Sequence, residues 1–161
     1  MKKNRKAFLD MIAYSEGTST SKATKNDGYD VLVTGIDGIP EIFTNYKTHP
    51  FMTRMPKQIN SHGLYSTASG RYQFLKKNWL HYQLLLNLPD FGPESQDRWA
   101  IQLLKECGAL YRIDRGNFNG AILKCHYLWA SLPGAGYDQH ENKYSALLAV
   151  YKESGGTSIL V

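Results

Sequence analysis

Cysteine is scarce in this chain, which has two among its 161 residues. Cys107 and Cys125 stand apart, with no CxxC pair and no His–Cys cluster, so the ligand spacing of a zinc site is missing. We therefore expect no metal ion and no other cofactor. Both cysteines lie on the apolar side of a helical pattern, where a free thiol behaves as a small hydrophobic side chain. The sequence favours buried, reduced thiols.

Long hydrophobic runs are also missing, since the longest, LLLNL, is far too short to span a bilayer. The N-terminus, MKKNRKAFLDMIAY, begins with positive charges as a signal peptide does. Asp10 interrupts its apolar part, however, and no small-residue cleavage site follows. We interpret this segment as an amphipathic first helix and expect no stable membrane association.

No run of Lys or Arg marks a nucleic-acid-binding tail, although the net charge is +5. A positive surface favours anionic partners such as nucleic acid, acidic membrane or anionic polysaccharide, and charge alone does not choose among them. Phosphate loops, dinucleotide fingerprints and HExxH motifs are missing too. The chain length predicts a single domain over residues 1–161, and we expect a monomer.

The apolar patterns that are present predict an α+β architecture. Segments 29–33 (YDVLV) and 41–46 (EIFTNY) are typical of the two strands of a hairpin. Segment 47–70 has no periodicity, which indicates irregular structure. The pattern is helical from Arg71 onward, and later helices begin near Pro93 and after the predicted N-cap Asn117.

The motif AYSEGT places Glu16 at the end of the apolar first helix, directly before glycine. The negative end of the helix dipole and the lack of solvent would both favour the protonated form of a carboxyl group there. A carboxylic acid that keeps its proton near neutral pH can act as a general acid. Glu16 is therefore the candidate catalytic residue of a glycosidic-bond-cleaving enzyme.

Glycoside hydrolysis usually needs a second carboxylate. The sequence offers Asp27, Asp30, Asp37 and Glu41 and marks none of them clearly. Asp27 and Asp37 each precede glycine, which is typical of turns. Asp30, beside Tyr29 at the predicted start of a strand, is the best of the four candidates.

Two further motifs could bind a neutral polar ligand such as a sugar. In TASGRYQFL, Gly70 permits a close backbone approach, and Arg71, Tyr72 and Gln73 are predicted to open a helix with free N–H donors. A simple turn with Tyr72 in the core is the alternative. In WASLPGAGYDQ, Tyr137 could stack on a sugar face, and a plain helix–helix connection is equally compatible.

Several motifs, taken in order, resemble the phage lambda lysozyme family: RKAFLDMIAYSEGT, GYDVLV, SGRYQFL, SQD, GAL, IDRG and WASLPGAGY. The resemblance runs from about Arg5 to about Gly156. It implies an α+β, lysozyme-like fold, with a small N-terminal hairpin lobe and a mostly helical lobe that flank a cleft. It also implies an endolysin that acts as a peptidoglycan lytic transglycosylase.

The family's single catalytic acid corresponds to Glu16 in SEGT. GRYQ corresponds to the cleft floor, so Arg71, Tyr72 and Gln73 are expected to bind saccharide. Tyr29 and Asp30 correspond to cleft walls, as does Tyr137 in GAGY.

In this family the 6-hydroxyl of N-acetylmuramic acid attacks its own C1, which explains the lack of a marked second carboxylate. The resemblance implies peptidoglycan glycan strands as the partner, with no nucleic acid. It also implies accumulation in the host cytoplasm until a holin perforates the membrane.

Segments 33–46 and 48–67 depart from the family pattern, so the rim of the cleft is expected to differ. Two alternatives stay open. One is a muramidase that hydrolyses the same bond with Asp30 as its second carboxylate, and the other is a non-catalytic basic module that binds wall polysaccharide or nucleic acid.

Overall fold

A computed structural model describes residues 1–159 of the chain. The chain forms two compact units. The first consists of Met1–Glu16 together with the chain from Ala100 onward, and the second consists of Gly17–Trp99. The expectation of one catalytic domain over residues 1–161 stays a prediction.

The first unit is helical, as the apolar periodicity predicts. Helix α1 spans Lys3–Ser15, and from Ala7 to Ser15 every position except Asp10 and Tyr14 is buried. The later helices of this unit are α4 (Ala109–Asp114), α5 (Phe118–Cys125) and α6 (Tyr144–Glu153), with a 3-10 turn at His126–Leu128. The predicted N-cap is confirmed, because the Asn117 side chain accepts a hydrogen bond from the Gly120 N–H at 2.7 Å.

An aromatic cluster joins α1, α5 and α6. Phe8 lies 5.8 Å from Phe118 and 6.2 Å from Tyr151, measured between ring centroids. All three side chains are buried. Burial of rings of this size is worth roughly 1.5–3 kcal/mol each, so the cluster fixes α1 and the residues at its end.

The second unit contains two short antiparallel hairpins. Strand β1 (Val31–Leu32) pairs with β2 (Glu41–Ile42), which confirms the predicted hairpin although its strands are shorter than the sequence pattern. Strand β3 (Lys57–Gln58) pairs with β4 (Tyr65–Ser66). The interpretation of 47–70 as irregular was therefore wrong at these two strands. Strands of two residues are too short to show alternation.

Aromatic side chains form the core of the second unit. Phe74 and Trp99 stack with their ring centroids 4.0 Å apart. Trp79 of helix α2 (Lys76–Leu86) packs edge-on against Phe91 just before helix α3 (Pro93–Glu106). These rings anchor the chain that follows the GRYQ motif.

The prediction that Arg71, Tyr72 and Gln73 open a helix is wrong. The three residues lie in a turn, and α2 begins only at Lys76. Backbone hydrogen bonds between Ser69 and Phe74 close this turn, and Gln73 has a φ of 50°, which is incompatible with an α-helix.

Cys125 is buried, as predicted, whereas Cys107 is only half-buried. Both are free thiols. In residues 1–159 no three His, Cys, Asp or Glu side chains converge as metal ligands would. None of the described helices is long and apolar enough to span a bilayer.

Candidate active site

Glu16 directly follows the last residue of α1. Its backbone N–H still donates to the carbonyl of Ile12 at 2.9 Å, so the last helical turn fixes the position of its Cα. Gly17 follows with a φ of 71°, a backbone conformation in which other residues are strained. The glycine of SEGT therefore ends the helix at the acid.

The carboxyl group of Glu16 lies in a poorly solvated position. Burial raises its pKa from 4.5 to about 7, and a hydrogen bond from Ser131 acts in the opposite direction. The Ser131 hydroxyl donates to Oε1 at 2.5 Å. A carboxyl group with a pKa of about 7 is poised to give and take a proton at neutral pH.

Two further side chains extend this contact within the first unit. The Ser15 hydroxyl donates to Ser131 Oγ at 2.8 Å. The side-chain amide of Asn142 donates in turn to Ser15 Oγ at 3.1 Å. A row of four polar side chains thus ends at the carboxyl group of Glu16.

Tyr137 also belongs to the first unit. Its side chain is 53% exposed, which leaves a face of the ring available for stacking on a ligand. Its hydroxyl donates to the carbonyl of Tyr127 at 2.8 Å, which holds the ring against the protein. Saccharide contact by Tyr137 stays a prediction.

Three of the predicted saccharide-binding residues lie together in the second unit. The Tyr29 and Tyr72 hydroxyls both donate to Asp97 Oδ1, at 2.8 and 2.5 Å. The guanidinium of Arg71 lies 5.1 Å from the Tyr29 ring centroid and 5.8 Å from that of Tyr72. Hydrogen bonds and cation–π contacts among the carboxylate, the phenols and the guanidinium offset part of the cost of burying them.

Burial limits what this cluster can contact. Tyr72 has no exposed surface and Arg71 is 4% exposed, whereas Tyr29 is half-buried. Arg71 also donates through Nε to the carbonyl of Asp27 at 2.8 Å. A saccharide could touch the Tyr72 ring only if its neighbours moved, so Tyr72 and Arg71 position the surrounding turn in this structure.

Gly70 permits a close backbone approach, as the sequence suggests. It has a φ of 78°, and a Cβ at this position would lie 2.3 Å from Oε1 of Gln96. That buried side chain accepts a hydrogen bond from the Arg71 N–H at 2.8 Å and donates to the carbonyl of Tyr29 at 3.0 Å. Gln96 therefore joins the GRYQ turn to the segment before β1.

Gln73 is half-buried, and its amide donates to the carbonyl of Gly70 at 3.0 Å. Its accessible side chain remains a candidate saccharide contact.

Asp30, the proposed second carboxylate, is only 3% exposed. It accepts hydrogen bonds from the Thr24 hydroxyl at 2.5 Å and the Lys25 N–H at 2.9 Å. Its oxygens thus hold the loop that precedes β1.

The other acidic candidates have local partners of their own. Asp27 pairs with Arg71, and Asp37 accepts from the Ile39 N–H at 3.0 Å. Glu41 pairs with Arg54 and Lys57.

Sequence reasoning missed several residues of these networks. Gln96 and Asp97 lie in the SQD motif, and Ser131 lies in WASLPGAGY, but a motif does not say which side chain meets which. Asn142 lies in none of the motifs. Its contact with Ser15 is visible only in the tertiary structure, because 127 positions separate the two residues along the chain.

Comparisons with known proteins gave matches over nearly the whole chain. The sequence model of the endolysin family matches residues 6–158. The endolysin of Escherichia phage P2 is 55% identical over 154 residues, which cover 95% of this chain and 93% of that protein. The endolysin of Escherichia phage lambda is 51% identical over 156 residues, which cover 95% of this chain and 92% of that protein.

Two solved structures are also similar to this chain. Bacteriophage lambda lysozyme in complex with a chitohexasaccharide superposes with a TM-score of 0.90 at 49% identity, covering 99% of this chain and 98% of that chain. A second structure of lysozyme from bacteriophage lambda gives a TM-score of 0.85 at 48% identity with the same coverage. The predicted α+β, lysozyme-like fold is confirmed.

Proposed function

Since the chain belongs to the endolysin family, whose members are enzymes that act on the bacterial cell wall, we propose that it is a peptidoglycan lytic transglycosylase. The proposed reaction cleaves the β-1,4 bond between N-acetylmuramic acid and N-acetylglucosamine and leaves a 1,6-anhydro end. The observation that carries the proposal is the single carboxyl group of Glu16, with a pKa of about 7 and a hydrogen bond from Ser131.

The proposed reaction needs one protein carboxyl group in two protonation states. Protonated Glu16 gives its proton to the glycosidic oxygen as the bond to C1 breaks, which releases the N-acetylglucosamine 4-hydroxyl. The carboxylate then takes the proton of the muramic acid 6-hydroxyl as O6 bonds to C1. The proton count closes without water, and a pKa near the working pH makes both transfers accessible.

The bonding of Asp30 supports this route over hydrolysis. A nucleophile or base must offer an oxygen to C1 or to water. Both Asp30 oxygens instead accept protein hydrogen bonds, and the side chain is nearly fully buried. An intramolecular attack by the sugar hydroxyl needs no such group, because the substrate itself supplies a well-oriented nucleophile.

We also propose that Gln73, Tyr137 and Tyr29 contact glycan, since each has accessible surface and a hydrogen-bonding or stacking group. A lambda lysozyme was solved with a chitohexasaccharide, and we extend saccharide binding from that protein to this chain. Arg71, Tyr72 and Asp30 would act by holding the turns beside these contacts.

The proposed cellular route follows from the family. The protein would accumulate as a monomer in the host cytoplasm and reach the wall after holin-mediated perforation of the membrane. A net charge of +5 would then favour binding to the anionic wall.

The test is mass spectrometry of glycan ends after digestion of purified peptidoglycan by the parent and by Glu16→Gln. We expect anhydro ends, lighter by one water than reducing ends, from the parent and no product from the variant. Reducing muramic ends would identify a hydrolase and turn attention to Asp30. No cleavage by the folded parent would leave a binding module.

A further inference from the structure

The hydrogen-bonded row that ends at Glu16 draws its members from three separate segments of the first unit. Ser15 is the last residue of α1, Ser131 follows the 3-10 turn, and Asn142 precedes α6. The contacts run from Asn142 Nδ2 to Ser15 Oγ (3.1 Å), from Ser15 Oγ to Ser131 Oγ (2.8 Å) and from Ser131 Oγ to Glu16 Oε1 (2.5 Å). A row that ends on the candidate acid can influence where its carboxyl group points.

The donors and acceptors in this row have a fixed direction. The amide nitrogen of Asn142 faces the carbonyl oxygens of Ser15 at 3.1 Å and Ser131 at 3.3 Å, and carbonyls only accept. The side chain must therefore present its NH₂ group on this side, which can only donate to Ser15 Oγ. The Ser15 hydrogen is then left to go onward, away from Asn142.

The Ser15 hydrogen has two possible acceptors, Ser131 Oγ at 2.8 Å and the Ser131 carbonyl at 3.3 Å. The contact to Ser131 Oγ is the shorter of the two, and the carbonyl already accepts the backbone N–H of Asn142 at 2.8 Å. The Ser15 hydrogen is therefore directed to Ser131 Oγ, and the single hydrogen of Ser131 is directed to Glu16.

We propose that Ser15 and Asn142 are positioning residues that aim the Ser131 hydroxyl at Glu16 and hold its carboxyl group in one orientation for proton transfer. The role in proton transfer rests on the proposed function, whereas the hydrogen bonds that orient the carboxyl group do not depend on it. Neither residue would touch the substrate in this role. Each acts through Ser131.

Loop contacts around Asn142 reinforce the arrangement. The neighbouring Glu141 carboxylate accepts the N–H groups of Gly134 at 2.8 Å and Gly136 at 2.9 Å. His126 meets the carbonyl of Gly134 at 2.7 Å. These bonds close the loop that ends at Asn142, so the amide reaches Ser15 from a fixed backbone.

The charged groups on the surrounding elements have partners of their own. Asp10 of α1 pairs with Lys6, the Glu141 carboxylate binds backbone amides, and the imidazole of His126 binds a carbonyl. On α6, Lys143 at the N-cap is exposed. The pKa of Glu16 is set by burial, which raises it, and by the Ser131 hydrogen bond, which lowers it.

The test measures the pKa of Glu16 directly, by ¹³C NMR titration of its carboxyl carbon in the intact protein without substrate. Ser131→Ala should raise that pKa by about one, since a hydroxyl that donates to a carboxylate stabilises its charged form. Ser15→Ala and Asn142→Ala should each raise it by about half as much. Ser15→Thr keeps the hydroxyl and should restore the parental value.

Asn117→Ala is the matched control, because it removes the N-cap of α5 in the same unit without touching the row. It should lower the melting temperature and leave the pKa of Glu16 unchanged. If Ser15→Ala fails to fold, Asn142→Ala carries the test, since Asn142 is half-exposed. An unchanged pKa in folded Asn142→Ala would overturn the proposal, whatever the value in Ser131→Ala.

The titration separates this proposal from the proposed function. A parent that produces reducing ends would contradict the transglycosylase assignment, and the pKa values would still decide whether the row positions the carboxyl group. Conversely, anhydro products from the parent together with unmoved pKa values would keep the proposed function and reject the positioning role.

Discussion

Burial of the Glu16 carboxyl group destabilises the folded protein at neutral and alkaline pH. This carboxyl group has a pKa of about 7 in the folded protein, against 4.5 for an unperturbed glutamate. Between these two values the unfolded chain has lost its proton while the folded protein keeps it. The free energy of unfolding therefore falls as the pH rises from about 4.5 to 7, and the penalty is complete above pH 7.

Glu16→Gln should therefore stabilise the protein at alkaline pH while it abolishes cleavage. A neutral amide suffers no ionisation penalty, so we expect a gain of about 2–3 kcal/mol at pH 8 that disappears at pH 4. Urea unfolding at both pH values measures it.

Glu153→Gln, an exposed position at the end of α6, is the matched control and should change the free energy of unfolding by less than about 0.5 kcal/mol. Equal stability of Glu16→Gln and the parent at pH 8 would show that the carboxyl group is not destabilised by burial.

Contacts between elements decide how the candidate residues are held. In the second unit Gly70 brings the turn before α2 against Gln96 of α3, and in the first unit an ion pair joins α1 to α4. Arg5 binds Asp114 through two nitrogens, both at 2.7 Å, and Lys2 adds a third contact at 2.8 Å. Each contact can be removed by a single substitution.

Gly70→Ala should destabilise the second unit by more than about 2 kcal/mol, because it combines a positive φ with a Cβ that would overlap Gln96. Gly38→Ala is the matched control, since Gly38 has a φ of 70° and no heavy atom within 4 Å of its Cβ position. Its cost should stay near 1 kcal/mol.

Urea unfolding followed by tryptophan fluorescence reports on this unit through Trp79 and Trp99. Equal costs of the two alanine substitutions would mean that the close approach to Gln96 contributes nothing.

Asp114→Asn should cost about 1–3 kcal/mol at pH 7, because it removes a charged, bidentate and partly buried contact between α1 and α4. The hydrogen bond from Arg5 holds the pKa of Asp114 well below its usual range. Its contribution is thus present above about pH 4 and is lost as the pH falls further.

The gap in melting temperature between parent and variant should therefore be smaller at pH 2 than at pH 7. Asp10→Asn removes the exposed pair with Lys6 and should cost about 0.5 kcal/mol or less. A gap between parent and Asp114→Asn that is equal at pH 7 and pH 2 would assign the loss to packing instead of charge.

The whole molecule carries a net charge of +5 spread over scattered basic residues. Such a field attracts an anionic polymer over distances near the Debye length, which is about 10 Å at 0.1 M salt. Affinity for the wall should therefore depend on salt, whereas affinity for a neutral saccharide should not.

Co-sedimentation with purified sacculi should show binding by Glu16→Gln that weakens about tenfold or more between 0.05 and 0.5 M NaCl. Titration with an uncharged chitooligosaccharide is the control and should give the same affinity at both salt concentrations. Salt-independent binding to sacculi would mean that local saccharide contacts, not the overall charge, hold the protein on the wall.

Much of the fold was predictable because its signals are local. The apolar periodicity of α1, the N-cap Asn117 and the hairpin at β1 and β2 each depend on residues close together in sequence. Strands β3 and β4 were missed because two residues cannot show a period. The sequence predicts a helix at GRYQ instead of the turn, because the Ser69–Phe74 pairing that closes the turn leaves no pattern in composition.

The sequence by itself determined the α+β class, the family and the acid at the end of the first helix, since SEGT places a carboxyl group where a helix must stop. Tertiary structure alone decided what surrounds that acid. Asn142 reaches Ser15 across 127 positions and Ser131 reaches Glu16 across 115. The same is true of Tyr72, whose hydroxyl binds Asp97 in the core. Hydrogen bonds between distant segments depend on how helices pack, and packing is a property of the whole set of side chains.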